Sequence, residues 1–160
     1  MNLHPPPVKV PQGLGFGPFF SALLTAVYRM FFAVKEYSEG TVYLEATTTD
    51  ATATELLVGG DRVKVPTDST AFYRVSVCAR RTDADNESAG YTIEGVIDNN
   101  AGTTALVGSQ VTTVTVEDTA AWSVAVTADD TNDAIAVKAT GEASKTIKWV
   151  ARIDLTRASG

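Results

Sequence analysis

The amino-acid sequence predicts an all-β chain, an antiparallel β-sandwich of jelly-roll type, preceded by one N-terminal α-helix. Three observations predict it. From residue 41 onward, apolar residues recur with period two in short runs, and clusters of Asp, Asn, Gly and Ser separate these runs about every ten residues. No second helical pattern interrupts them. Before residue 38, by contrast, one stretch without Gly or Pro carries apolar residues at spacings of three and four.

The chain opens with residues 1–17, where Pro5, Pro6, Pro7 and Pro11 favour an extended, partly polyproline backbone. This proline-rich segment has no core of its own and reads as a docking arm. Pro18 suits the first turn of a helix, since a proline there gives up an N–H that has no partner anyway. Over residues 18–38, Phe20, Leu23, Val27, Met30, Val34 and Tyr37 alternate spacings of three and four, the seam of a short coiled coil. They are the expected oligomerisation and anchor residues. A second stripe of Leu24, Tyr28, Phe31 and Phe32 makes the apolar face wider than two strands use, so a homotrimer, or burial in a host structure, is expected. The plainer alternative packs this helix on its own domain's sheet. Residues 14–34 are long and apolar enough for a bilayer, but Arg29, Gly15, Gly17 and Pro18 fall within them. With no basic leader and no small-residue cleavage site, neither a membrane anchor nor a signal peptide is expected.

Ser38, Glu39 and Gly40 form a stop and hinge before the β-sandwich domain, expected over residues 41–157. Val42, Leu44 and Ala46 alternate with Tyr43, Glu45 and Thr47. A short run at 55–58 meets 62–65 across Gly59, Gly60 and Asp61, a hairpin-like turn, and Pro66 ends it. Longer strands are expected at 71–80, 91–97, 106–116, 122–128, 134–139 and 147–155. Trp122 and Trp149 lie in apolar strands and read as core. Cys78, the single cysteine, has the parity of the polar face in its strand and no base nearby, so an inert thiol is expected.

Composition narrows the chemistry. With 13 Lys and Arg against 19 Asp and Glu, the net charge is −6, which repels polyanions, so no nucleic-acid partner is expected. His4 is the only histidine and lies in the proline-rich arm, which leaves no Ser/His/Asp or Cys/His arrangement. There is no P-loop, nucleophile elbow or dinucleotide fingerprint either. The expectation is a protein that is not an enzyme. Glu94 and Asp98 are the within-strand acids, and both have polar-face parity. Asp83, Asp85 and Glu87 alternate as calcium ligands do, with Glu94 at the twelfth position, but Ser88 stands where the loop's sharp turn calls for glycine. Asp129, Asp130, Asn132 and Asp133 form a second acidic turn. No metal and no cofactor is expected at either. Arg74, Arg80 and Arg81, with Lys145, Lys148 and Arg152, read as paired surface charge, or alternatively as a groove for anionic sugars.

Several blocks in fixed order carry a resemblance: residues 78–91, 94–98, 105–108, 117–122, 124–129 and 147–151. Together they make residues 41–155 resemble the C-terminal domains of tail-fibre and related virion proteins of tailed bacteriophages. The resemblance implies a structural virion protein, a short trimeric fibre or spike, attached to capsid, neck or tail proteins by its N-terminal segment and contacting a host cell-surface glycan. Virion localisation follows from it, and no catalytic residues do. Two other readings stand beside this one. One is a capsid decoration or cement protein. The other is a carbohydrate-binding or polysaccharide-degrading module in which Glu94 and Asp98 would be the acids.

Overall fold

The computed structural model describes residues 40–84 and 86–160. The expected arm at 1–17 and helix at 18–38, with His4 and the seam residues Phe20, Leu23, Val27, Met30, Val34 and Tyr37, lie outside the described residues, as does the apolar stretch 14–34. Among the described residues no helix is long and apolar enough to cross a membrane.

What the described residues form is all-β and antiparallel, as the alternation predicts. Nine strands follow one another: β1 (Gly40–Thr48), β2 (Thr54–Glu55), β3 (Val63–Lys64), β4 (Ser69–Arg81), β5 (Ser88–Asn100), β6 (Thr103–Glu117), β7 (Ser123–Asp129), β8 (Ala134–Thr140) and β9 (Ile147–Ser159). A five-stranded sheet has the order β1-β9-β4-β5-β6. In the second sheet β7 pairs along the whole of β8, while β2 and β3 pair with its two ends. Side chains from both sheets share one core. Val42, Leu44, Tyr73, Val75, Ile93, Ile97, Trp149 and Ile153 come from the larger sheet, and Val63, Val126, Ile135 and Val137 from the smaller. This is a two-layer sandwich; its strand order alone does not make it a jelly roll.

The two short strands differ from expectation at their bounds, for a reason visible in their bonding. The run 55–58 reads as one strand, but only Thr54 and Glu55 pair with β8, after which Leu57 turns to bridge Glu45 of β1. Leu56 between them is buried and its N–H bonds the Val137 carbonyl at 2.8 Å. The expected turn at Gly59 and Gly60 is present. Both have positive φ, 59° and 93°, and Val58 and Asp61 exchange backbone hydrogen bonds across it.

The β5–β6 hairpin is similarly pinned. Ala101 and Gly102 at its tip both have positive φ, which a glycine adopts freely and an alanine does not. Asp68 Oδ1 accepts the Ala101 N–H and Asn99 Oδ1 accepts the Gly102 N–H, at 3.2 and 2.9 Å. Further along, β6 carries three residues, Gly108, Ser109 and Gln110, opposite Gly95 of β5. Gly108 has a positive φ of 69° there, the mark of a bulge that bends the strand.

Candidate functional site

Of the acidic string considered for calcium, Asp83 and Glu87 are bonded to cations of the protein itself. Arg81 ends β4 and donates to Asp83 Oδ1 at 2.8 Å and to Glu87 Oε2 at 3.1 Å. Lys145 donates to Glu87 Oε1 and to Glu142 Oε2, both at 2.7 Å. The Thr146 N–H adds a bond to Asp83 Oδ1 at 3.1 Å. Asp85 lies outside the described residues. The network clamps the 82–87 loop against the approach to β9.

Its electrostatics make one test. The bond from Arg81, helped by the Thr146 N–H, holds the Asp83 carboxyl at about 2, against an ordinary 3.8. Bonds from Lys145 and then Arg81 also lower Glu87. A carboxylate with its folded value depressed adds stability above its unfolded value and loses it as pH falls through the folded one. Thermal midpoints measured against pH should therefore drop between pH 3.8 and about 2. In Asp83→Asn that drop should be shallower and the midpoint at neutral pH lower. An unchanged slope would mean that solvent screening removes the effect of this exposed pair.

The second acidic turn is likewise bonded within the protein. Asp133 Oδ1 accepts from the Asn99 amide at 3.0 Å and from the Thr104 hydroxyl at 3.1 Å, and Asp130 Oδ1 accepts the Thr104 N–H at 2.6 Å. Asn99 is fully buried and also donates to the Val65 carbonyl at 2.9 Å. These bonds tie the β5–β6 hairpin to the loop before β8.

On the outward face of the large sheet the charged residues stand in pairs. Arg74 meets Glu94 at 3.1 Å, Arg152 meets Asp154 at 2.8 Å and Lys148 meets Glu45 at 2.5 Å. Glu94 and Asp98, four residues apart on β5, have backbones roughly 13 Å apart at the rise of an extended strand. Paired glycosidase carboxyls stand about 5–9.5 Å apart. Cys78 is exposed on this face, as its parity predicts, and Trp122 and Trp149 are buried, as expected of core.

The feature that sequence reasoning passes over is β6. Among the described residues it is one of the two outer strands of the large sheet, and Val107, Val111, Val114 and Val116 on it are 48%, 63%, 50% and 66% exposed. The apolar run at 106–116 identifies a strand but not its place at an edge. A usable signal is nevertheless present: residues 103–116 contain no Asp, Glu, Lys, Arg or Pro.

No family model matches the chain, and no curated protein matches it. Among solved structures it is similar to the tailspike protein of Acinetobacter phage vB_ApiP_P1, with 10% identity and a TM-score of 0.28, over 79% of this chain and 21% of the tailspike. The aligned part is thus about a fifth of the tailspike's length. A likeness at this level carries no argument about what this chain does.

Proposed function

We propose that the chain is a non-enzymatic virion protein of a tailed bacteriophage, a short trimeric fibre or spike. Arm 1–17 and helix 18–38 attach it to other virion proteins, and the sandwich is turned outward toward the host surface. The observation that carries this reading is the ordered set of sequence blocks between residues 78 and 151 that resemble tail-fibre C-terminal domains. Two features of the fold support it. Glu94 and Glu87 are engaged in ion pairs with Arg74, Arg81 and Lys145, and Asp133 in a loop clamp. Of the seven large apolar residues exposed among the described residues, four lie on β6 and the others, Tyr43, Phe72 and Val150, on β1, β4 and β9 of the same sheet, as in a module that presents a surface.

Light scattering on the full chain and on a chain beginning at Thr41 tests the trimer. At low protein concentration, where contacts between sandwiches dissociate, the expected masses are about three times 16.9 kDa for the full chain and one copy for the shortened one. A single copy in both cases overturns the trimer. A trimer that survives the shortening moves the contact into the sandwich and leaves the helix for docking. Copy number on purified particles then separates a fibre, present at a few sites, from a cement protein that occupies many.

A further inference from the structure

The large sheet has two edges, and the fold treats them differently. At β1 the middle of the edge is closed: the Glu45 N–H bonds the Leu57 carbonyl at 2.9 Å and the Leu57 N–H bonds the Glu45 carbonyl at 3.1 Å. A charged side chain, Glu45 with its partner Lys148, guards the same place. At β6, among the described residues, Asp130 Oδ1 takes the Thr104 N–H at one end, and no backbone–backbone hydrogen bond from another segment meets the outer edge over residues 105–116. An open edge of this kind is a template for another strand, and folded proteins blunt it with charge, proline, bulges or a covering segment.

β6 lacks charge and proline over residues 103–116. Its two register shifts, at Gly108 to Gln110 and at Thr115, flank residues 111–114 without interrupting them. There Val111, Thr112, Thr113 and Val114 pair in regular succession with Glu94, Ile93, Thr92 and Tyr91. The run 111–116 reads Val-Thr-Thr-Val-Thr-Val, β-branched throughout, with all three valines exposed.

We propose that this edge is a self-association site, where β6 of one copy pairs antiparallel with β6 of a second copy around Thr113. Charge selects this occupant. The chain carries −6, so two copies repel wherever acids gather, and the uncharged run is where they can approach without bringing like charges together. A charged peptide would find no ion-pair partner on it. The heterologous alternative, β6 against β1, meets the Glu45–Leu57 bridge. Centred on Thr113, the pairing sets Thr112 opposite Val114 and Thr113 opposite its own copy, so side chains of the same sheet face meet. This contact does not rest on the helix trimer. A two-fold contact cannot form inside a three-fold ring, so where both exist it joins one trimer to the next.

Disulfide trapping in the full chain reads the contact directly. In a Cys78→Ser background, Thr113→Cys places two sulfurs across the two-fold. Antiparallel partners have Cα atoms about 4.5–5.5 Å apart, within the span a disulfide bridges. Mild oxidation should give a linked pair of chains on a denaturing gel, at least tenfold faster than Thr70→Cys, an exposed control on β4. Adding Val114→Lys should slow the Thr113→Cys reaction to the control rate. Equal rates at the two cysteines would overturn the proposal, and so would trapping that ignores the lysine. In the unmodified protein, amide exchange at 111–115 should slow as concentration rises. Protection of this edge independent of concentration would assign it to residues 1–39 of the same chain and overturn self-association.

Discussion

Replacing Trp149 by alanine should remove about 3–5 kcal/mol of unfolding free energy, the loss typical of deleting a fully buried large aromatic. Trp149 is 0% exposed and sits where the two sheets meet. Its ring is 5.7 Å from Trp122 and 6.4 Å from Tyr91, so the cavity left behind is lined by large rings that cannot collapse into it. Its indole N–H also donates to Thr48 Oγ1 at 2.9 Å, and Thr48 is buried. Thr48→Val deletes only that bond and should cost about 1–3 kcal/mol, because the indole donor is left buried without a partner. Domains have about 5–15 kcal/mol in total, so Trp149→Ala leaves a fold near its threshold at moderate temperature. Urea unfolding followed by far-ultraviolet dichroism checks this, since a signal from the tryptophans would itself be altered. Val150→Ala, one residue along on the outward face, should shift stability by no more than about 0.5 kcal/mol. If Trp149→Ala costs no more than Val150→Ala, the two sheets do not share the core described above.

That contrast between adjacent residues is legible in the sequence. Tyr73, Val75 and Val77 alternate with Arg74, Ser76 and Cys78, and a half-covered antiparallel strand turns alternate side chains to core and solvent. The same period places Val42 and Leu44 inward, with Tyr43 and Glu45 outward. Turn residues mark the strand ends equally well, at Gly59 and Gly60 and at Ala101 and Gly102. Both signals are local, and a chain can be read locally.

Long-range pairing is not local. β9 lies between β1 and β4, with Leu44 opposite Ala151 and Val77 opposite the same residue, and no sequence pattern states that adjacency. The place of β6 at an edge is a fact of the same kind. Its valines look like those of a central strand until the sheet order leaves them uncovered. The acids show the limit from the other side. Turn chemistry predicts local bonds for Asp130 and Asp133, yet they reach Thr104 and Asn99, which sequence separation hides. The candidate calcium string does not announce its partners for the same reason, since Lys145 is far along the chain from Glu87.

Gly95 is the sharpest case, and substituting it should cost about as much as opening the core. It stands within a run of strand formers on β5, where glycine weakens a strand and calls for a reason. The reason is Tyr73, its cross-strand partner on β4. The phenol lies over Gly95, so a Cβ added there would be 2.7 Å from Cζ and 3.2 Å from Cε1, and closer still to the hydroxyl. Tyr73 is 0% exposed and packed within the core. Its hydroxyl, kept protonated by burial that pushes it above the ordinary 10.0, donates to Gln110 Oε1 at 2.9 Å. Gln110 belongs to the bulge opposite Gly95, so one ring joins the glycine to the bulge of β6. Gly95→Ala must displace the ring and break that bond. The expected loss is about 3 kcal/mol, from overpacking together with the bond. Amide exchange should then accelerate along residues 108–116 before it does in β9. Tyr73→Phe removes the closest atom, so in a double-mutant cycle it should recover about 1 kcal/mol of the Gly95→Ala loss. Strictly additive energies would mean that the two residues do not meet, and that something other than this ring holds β6 in its bent course.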